Sequence, residues 1–518
     1  MLQVMKNNNK HIYLFILSVA LIKIFFSFFI ELGNDESYYY TYALQPQLNY
    51  FDHPPLVGFL VRFTTINLTF VNDVTLRLGA IISCAIASVF VFKIATLLYN
   101  EIAGWYAVLI YNFSIYTGII AGFFILPDSL QMPFWCAAIW LMCNIIFKQK
   151  ETKILPWFWL GLIIGLSVLC KIHSMYLWVG FGIYILLYKT KWLLNWRLYF
   201  SFLITAICCL PILIWNIQNN FITYKFHSQR VANTHLKFDS LITEIVGEIL
   251  YQNPIIYILI VVAIFKLIQN LKFKIQNKSP LYPYSQLLIC LSLPMIFFFW
   301  CLSLFNDILP HWSGPAYIPL YIIAAIYLAK KIKNKTPVML VIAGSLLFVV
   351  MSVATILINF SPTNFGSKDR NNFGENCPTL DVSGWKNFSN EFNNLVQQDV
   401  VANKMKNPVI LISKWFPACQ LELYASTKTQ LPIIAIGNVE DVHQFAWLNK
   451  TRATLQLGND AYCIVPSNQP FDVVTNYSKY FNVIEPPQII NQIRSEKVVR
   501  YFYIWRLKNC KQIPAIIL

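Results

Sequence analysis

Eleven apolar stretches, near residues 11–30, 74–98, 102–123, 129–147, 156–170, 172–188, 198–216, 253–270, 284–305, 312–329 and 337–359, dominate the sequence. A membrane-spanning helix needs about 17–25 predominantly apolar residues, because hydrocarbon offers no water to backbone groups left outside a helix. The chain is therefore expected to be an α-helical polytopic membrane protein with about 11 spans. The fifth and sixth stretches are short, which leaves room for up to 13. Charged residues make up 12% of the chain, against about 25% in soluble proteins. The net charge of +16 is spread over lysines lying between apolar runs, without a basic face carrying interleaved aromatics, so nucleic acid is not expected as a partner.

Those lysines report topology. Placing Lys6 and Lys10 in the cytoplasm makes every second connection cytoplasmic. Those connections carry Lys148/Lys150/Lys153, Lys189/Lys191/Arg197, Lys266/Lys272/Lys274/Lys278 and Lys330/Lys331/Lys333/Lys335, as the positive-inside rule requires. The first stretch is too long, and lacks the small-residue cleavage pattern, for a removed signal peptide, and reads as an uncleaved anchor. The alternate connections, including 31–73, 124–128, the neighbourhood of Lys171, 217–252 and 306–311, then face the outer side, together with everything after residue 360. Two domains are expected: 1–360, membrane-embedded, with its first outer loop 31–73 as the centre of chemistry, and 361–518, a small soluble α/β domain. The latter begins with an Asn/Gly/Ser/Pro-rich linker. It continues with strand-like runs at 409–412, 433–436, 461–465 and 501–505 around a helical segment at 387–398.

The residues with chemistry gather on the outer side. Asp35-Glu36, followed by Tyr38-Tyr39-Tyr40 and Phe51-Asp52-His53-Pro54-Pro55, stands where the first apolar run ends. Charge beside hydrocarbon is disfavoured unless paired or used. One carboxylate of such a pair can act as a general base while its neighbour supports it, and an acidic helix start is equally compatible with the pattern. Leu56 to Phe63, apolar but too short to span, suits a helix lying in the interface plane. Asp128 opens the fourth span and is either a second acid of the same cavity or a helix cap. Lys171, between two apolar runs, is either a snorkelling surface lysine or an inward cation for a phosphate. Arg230 and His227 lie in a cationic, aromatic loop suited to anionic headgroups. His311-Trp312 reads as a substrate contact or an interfacial anchor, and His53 as a substrate contact or a brace for the Pro-Pro turn.

Some chemistry is missing. The sequence has no Gly-rich phosphate loop, no His-Glu-x-x-His, no Cys-x-x-Cys, and no Asp-x-Asp near the first loop of the kind that holds a nucleotide sugar through a metal. An energised donor must then already be outside, which a polyprenyl-phosphate sugar provides. Most of the 12 cysteines lie in apolar runs as small buried side chains, and the four in the tail, Cys377, Cys419, Cys463 and Cys510, permit disulfides. No cofactor is called for; a divalent metal is left open.

Asp35-Glu36-Ser-Tyr-Tyr with Tyr50-Phe-Asp-His-Pro-Pro55, then Pro127-Asp-Ser-Leu-Gln-Met-Pro-Phe-Trp135, Gly161 to Lys171, Pro211-Ile-Leu-Ile-Trp-Asn216 and His311-Trp-Ser-Gly-Pro-Ala-Tyr317 resemble the bacterial glycosyltransferase family 39 proteins. These are GT-C membrane enzymes related to protein O-mannosyltransferases and to the aminoarabinose transferase acting on lipid A. The resemblance covers roughly 30–330. It implies an inverting transfer of a sugar from a polyprenyl phosphate, with Asp35 as the catalytic carboxylate, Glu36 beside it and Asp128 as the second acid. Lys171, and by extension Arg230, would bind the donor phosphate, with His227, His53, Tyr38, His311 and Tyr317 as further substrate contacts and no metal ligand assigned. The expected partners are the polyprenyl-phosphate sugar, lipid A or another envelope acceptor, and membrane lipids, with the active site and tail in the periplasm of an inner membrane. Protein O-glycosylation is the alternative within the class. Outside it, a lipid or sugar flippase would instead carry charge deep within its spans and often internal symmetry.

The topology is checked with a reporter fused after Leu518 that is active only outside the cytoplasm. It is expected to be active, and a cytoplasmic signal would mean that the span count is off by one.

Overall fold

The computed structural model describes residues 10–231, 235–276, 283–332, 335–452 and 454–514. Lys6, Lys278 and Lys333, which contribute to the expected charge pattern, lie outside the described residues. Among the described residues fifteen α-helices precede the tail: α1 (Lys10–Ser27), α2 (Asn34–Leu44), α3 (Leu56–Thr64), α4 (Asp73–Leu98), α5 (Glu101–Phe113), α6 (Pro127–Phe147), α7 (Ile154–Cys170), α8 (Tyr176–Tyr188), α9 (Trp196–Gln218), α10 (Ile222–Arg230), α11 (Phe238–Tyr251), α12 (Pro254–Gln276), α13 (Pro283–Ser303), α14 (Tyr317–Lys331) and α15 (Val338–Phe360). Every one of the eleven expected stretches holds a helix. Among the described residues six helices are long and apolar enough to cross a membrane alone, and α11 with α12, bent by 100°, pass as a seventh. Apolar α7 and α8 are shorter. This is a multi-pass membrane protein.

The chain forms two compact units. The first comprises Met1–Ile24, Asp52–Leu60 and Arg77–Val350; the second comprises Phe25–Phe51, Val61–Leu76 and Met351–Leu518. Most of the first outer loop thus belongs with the tail.

In the first unit, one large apolar cluster runs through α4–α8 and α12–α14. Lipid tails are as apolar as leucine, so helices in a membrane gain by close approach of small residues. Gly161 and Gly165, four apart on α7, serve that purpose against α9. A Cβ at Gly161 would lie 2.2 Å from the Ser201 carbonyl oxygen, and one at Gly165 2.5 Å from the Cys208 Cβ. The stretch expected to span 102–123 is interrupted. Helix α5 stops at Phe113, and a π-helical turn, Tyr116–Ile120, follows. Such turns insert an extra residue and re-aim a side chain, commonly at functional sites.

In the second unit, the tail carries helices α16 (Pro378–Asp381), α17 (Trp385–Val401) and α18 (Trp415–Gln420) and strands β1 (Val409–Ile412), β2 (Ile433–Ala435), β3 (Ala461–Pro466), β4 (Phe481–Ile484), β5 (Gln488–Arg494) and β6 (Lys497–Cys510). The sheet order is β2-β1-β3-β6-β4, with β5 also on β6. β1 is parallel to β2 and β3, whereas β6 runs antiparallel to β3, β4 and β5. Side chains Val409, Leu411, Cys463, Val465 and Leu507 bury one core. On α17, Phe388 stacks on Phe502 of β6 with centroids 4.1 Å apart. A buried ion pair ties the same elements: Arg506 Nε donates to Asp399 Oδ2 at 2.6 Å and Nη2 to Oδ1 at 3.0 Å. Tyr462 adds a hydrogen bond to Asp399 Oδ2 at 2.8 Å. All twelve cysteines are free thiols.

Removing one partner of such a pair leaves the other buried and unpaired. Asp399→Ala is expected to destabilise the protein by about 3–5 kcal/mol, read as loss of protease resistance in the tail, while the exposed Glu391→Ala changes nothing measurable.

Candidate active site

The first unit collects basic groups around one acid. Asp128 sits in the first turn of α6, where its carboxylate also favours the positive helix end. It is buried, and Lys171 Nζ donates to its Oδ2 at 2.7 Å. Lys171 lies just past α7, whose last turn ends in an extended residue, so its side chain turns inward rather than snorkelling. The second oxygen, Oδ1, accepts the Tyr116 hydroxyl at 3.0 Å. The π-helical turn aims Tyr116, and the motif 311–317 makes room for it: a Cβ at Gly314 would meet the Tyr116 ring at 2.4 Å.

Histidines surround this pair. His173, His311 and Lys171 act electrostatically on Asp128, and Lys171 and Asp128 act in the same way on His53. The His53 and His227 rings lie 6.1 Å apart. His227 Nε2 donates to the Asp52 carbonyl oxygen at 2.8 Å, which fixes the proton on that nitrogen. Burial, with help from His227 and Lys171 against Asp52 and Asp128, lowers the His53 pKa to about 4. Burial and Lys171 likewise lower His311 to about 4, opposed by Asp128. Arg230 is exposed, its guanidinium 5.6 Å from the Phe226 ring and 5.5 Å from that of Trp312, a cation–π clasp.

Tyr317 has a different task. Its hydroxyl donates to Glu248 Oε2 at 3.0 Å, Trp300 Nε1 donates to the same oxygen at 2.7 Å, and Ser313 donates to Oε1. Glu248 and Glu244, both fully buried, were not singled out from the sequence. Two glutamates four apart in a loop read as solvated charge, and only the apolar residues flanking them hint otherwise.

Asp35, Glu36 and Tyr38 lie in the second unit. Asp35 is exposed in the first turn of α2, and Glu36 is buried. Glu36 Oε2 accepts the Gly33 N–H at 2.9 Å, satisfying a donor that the helix start would leave open. The tail moors this loop. Gln420 Nε2 donates to the Leu32 carbonyl oxygen at 2.8 Å, and its Oε1 accepts the Ser37 hydroxyl at 2.9 Å. Tyr424 Oη accepts the Leu32 N–H at 2.9 Å and donates to Asp73 Oδ1 at 2.9 Å. Glu31 accepts the Trp385 N–H at 2.7 Å. Tyr38 packs in an aromatic cluster, 5.1 Å from Trp415 and 5.7 Å from His443 by ring centroids. Among the described residues no group of three or more His, Cys, Asp or Glu has the geometry to hold a metal ion.

Residues 52–215 match the family model of dolichyl-phosphate-mannose-protein mannosyltransferases. The fold extends the likeness over nearly the whole chain. The structure of ArnT from Cupriavidus metallidurans bound to undecaprenyl phosphate superposes with a TM-score of 0.59 at 12% identity, covering 96% of this chain and 98% of that one. The apo form of the same protein gives 0.56 at 11% identity, covering 95% and 97%. No curated protein sequence gives a match. The family match falls within the membrane helices, and the fold shared with ArnT takes in both the helices and the tail.

Because His53 and His311 are held near 4, below the ordinary 6.5, the unfolded chain binds more protons between those values. Stability contributed by the two neutral rings is complete above about pH 6.5 and is lost as pH falls towards 4. The melting temperature in detergent is expected to drop across that window, and less steeply in a His53→Gln/His311→Gln variant. Equal slopes would show that neither ring stays neutral in the fold.

Proposed function

We propose that this chain moves a sugar from a polyprenyl phosphate of the undecaprenyl type to an envelope acceptor, lipid A or another glycan, at the periplasmic face of a bacterial inner membrane. The observation that carries the reading is the buried Lys171 ammonium on Asp128 with histidines converging on it. One acid cannot balance so many basic groups once a phosphate draws protons onto them, and a low-dielectric pocket strengthens each attraction. A lipid-linked phosphate entering from the bilayer meets that need, with Arg230 as an outer cation. The bound lipid in the ArnT structure supports the same donor class.

In the reaction, an acceptor oxygen attacks the anomeric carbon from the face opposite the phosphate. The bond from that carbon to the phosphate oxygen breaks, and its electron pair leaves with the polyprenyl phosphate. Lys171 offsets the charge that develops there, and Asp128 with Tyr116 keeps the ammonium aimed. With a hydroxyl acceptor, exposed Asp35 takes the proton; with a phosphate acceptor none need be removed, and Asp35 orients the acceptor. Glu36, committed to Gly33, holds the turn. Protein O-glycosylation is the second reading, favoured by the protein acceptor named in the matching family model.

The test compares wild type, Asp35→Ala and Asp128→Ala in a deletion strain, by the masses of lipid A and of envelope proteins. A sugar increment on lipid A that vanishes in both variants, by about 100-fold or more in rate, is expected. Lipid A unchanged by the deletion would remove the favoured acceptor, an increment on protein would favour the second reading, and full activity in Asp35→Ala would remove the proposed base.

A further inference from the structure

Lys171 stands at a joint. It is extended, with φ −154° and ψ 125°, where α7 has ended and a single 3₁₀ turn, Ile172–Met175, leads on towards α8. Backbone at such a joint can swivel, and the four-carbon stem of lysine adds rotamers of its own. The ion pair with Asp128 sets one distance, and by itself it leaves the direction of the other two ammonium protons free.

A second contact with the same helix stops the swivel. Gln131 lies three positions beyond Asp128 on α6 and so shares its face. Its Nε2 donates to Ser174 Oγ at 2.7 Å. Ser174 belongs to the 3₁₀ turn, and its N–H closes that turn on the Lys171 carbonyl oxygen at 3.0 Å. The Ser174 hydroxyl is saturated. It accepts from Gln131 and, at 2.9 Å, from Ser167 Oγ, and it donates to the Ser167 carbonyl oxygen at 2.9 Å, which uses the one donor and two lone pairs that a hydroxyl has. Gln131, Ser167 and Ser174 are all fully buried, so water does not stand in for any of these partners. Helix α6 thus grips the segment 171–174 twice, by Asp128 at the ammonium and by Gln131 at the hydroxyl, and two points fix an orientation that one leaves open.

Packing alone does not account for the amide. Among the described residues Gln131 Oε1 accepts no hydrogen bond, and an unmatched buried oxygen is destabilising where methionine, of nearly the same shape, would not be. The bond to Ser174 is what the amide adds to that shape.

We propose that Gln131 is a positioning residue for Lys171: through Ser174 it holds the turn that aims the ammonium at the phosphate of the lipid donor. This rests on the reading of Lys171 as the cation for that phosphate.

The test uses the full-length protein in detergent micelles carrying graded mole fractions of undecaprenyl phosphate, or of undecaprenol, which has the same chain and no phosphate. Occupancy is read by native mass spectrometry. Wild type is expected to take up undecaprenyl phosphate, Lys171→Ala to bind it about 100-fold more weakly and Gln131→Met about tenfold more weakly, the range for losing or loosening a hydrogen bond to a charged group. Undecaprenol should bind all three proteins equally, because only the phosphate meets Lys171. Gln131→Met placed on Lys171→Ala should add nothing, since the amide acts through the lysine. Ser174→Ala cuts the same bond from its other end and should match Gln131→Met, which keeps the test open should one of the two fail to fold. Three results would overturn the proposal while leaving the donor reading in place: Gln131→Met binding undecaprenyl phosphate as wild type does, an equal loss of undecaprenol, or a loss that adds to that of Lys171→Ala. Wild type without affinity for undecaprenyl phosphate, or Lys171→Ala binding it as tightly as wild type, would overturn both.

Discussion

The Lys171–Asp128 ion pair sets the terms for the membrane unit. Taking both charges out of water costs several kcal/mol per ion, and mutual attraction repays it only with good geometry and further hydrogen bonds. The surrounding structure reads as the list of those conditions. α7 ends at Cys170, so Lys171 can turn in. The π-helical turn at 116–120 brings a hydroxyl to the second carboxylate oxygen. Gly314 gives up its side chain so that the Tyr116 ring fits. A motif that in the sequence looked like an interfacial anchor, His311 to Tyr317, is on inspection a support, with Gly314 behind Tyr116 and Ser313 and Tyr317 on Glu248.

Asp35 and Glu36 show how adjacent carboxylates acquire different roles. Both belong to the first turn of α2, where the helix end favours negative charge. Glu36 is spent on the Gly33 N–H and buried, and Asp35 is left exposed. The division follows from the 100° step between neighbours on a helix, which cannot face both the interior and the solvent with the same side chain.

Much of this was legible from sequence for a physical reason. Hydrocarbon forces long apolar helices, and translocation sorts lysines, so the helical stretches and the side on which Asp35, Asp128 and Lys171 are expected could be read from composition alone. The strands at 409–412 and 461–465 were equally plain from their short apolar runs, the second reaching Pro466 in the fold. Pairing was not legible. Asp128 and Lys171 are 43 positions apart, and nothing local to either names the other. Glu248 escaped because burial of a glutamate depends on donors, Trp300, Ser313 and Tyr317, from two later segments. The break at Phe113 escaped too, since a π-helical turn has the same apolar composition as the helix it interrupts. The tail segment Ser413 to Tyr424 had no chemical signature, because Gln420 and Tyr424 hydrogen-bond to Leu32, Ser37 and Asp73, partners that only the fold brings to them.

That last arrangement fixes an order of assembly. Leu32 exchanges hydrogen bonds with side chains 388 and 392 positions later, its carbonyl accepting from Gln420 and its N–H donating to Tyr424. When the first loop leaves the ribosome its partners have not been synthesised. Contacts of such long sequence separation form late, after loop closure has been met by other interactions. The segment bearing Asp35 is thus an unfinished edge through most of biosynthesis, and a chain stopped short of Tyr424 would expose it without its moorings.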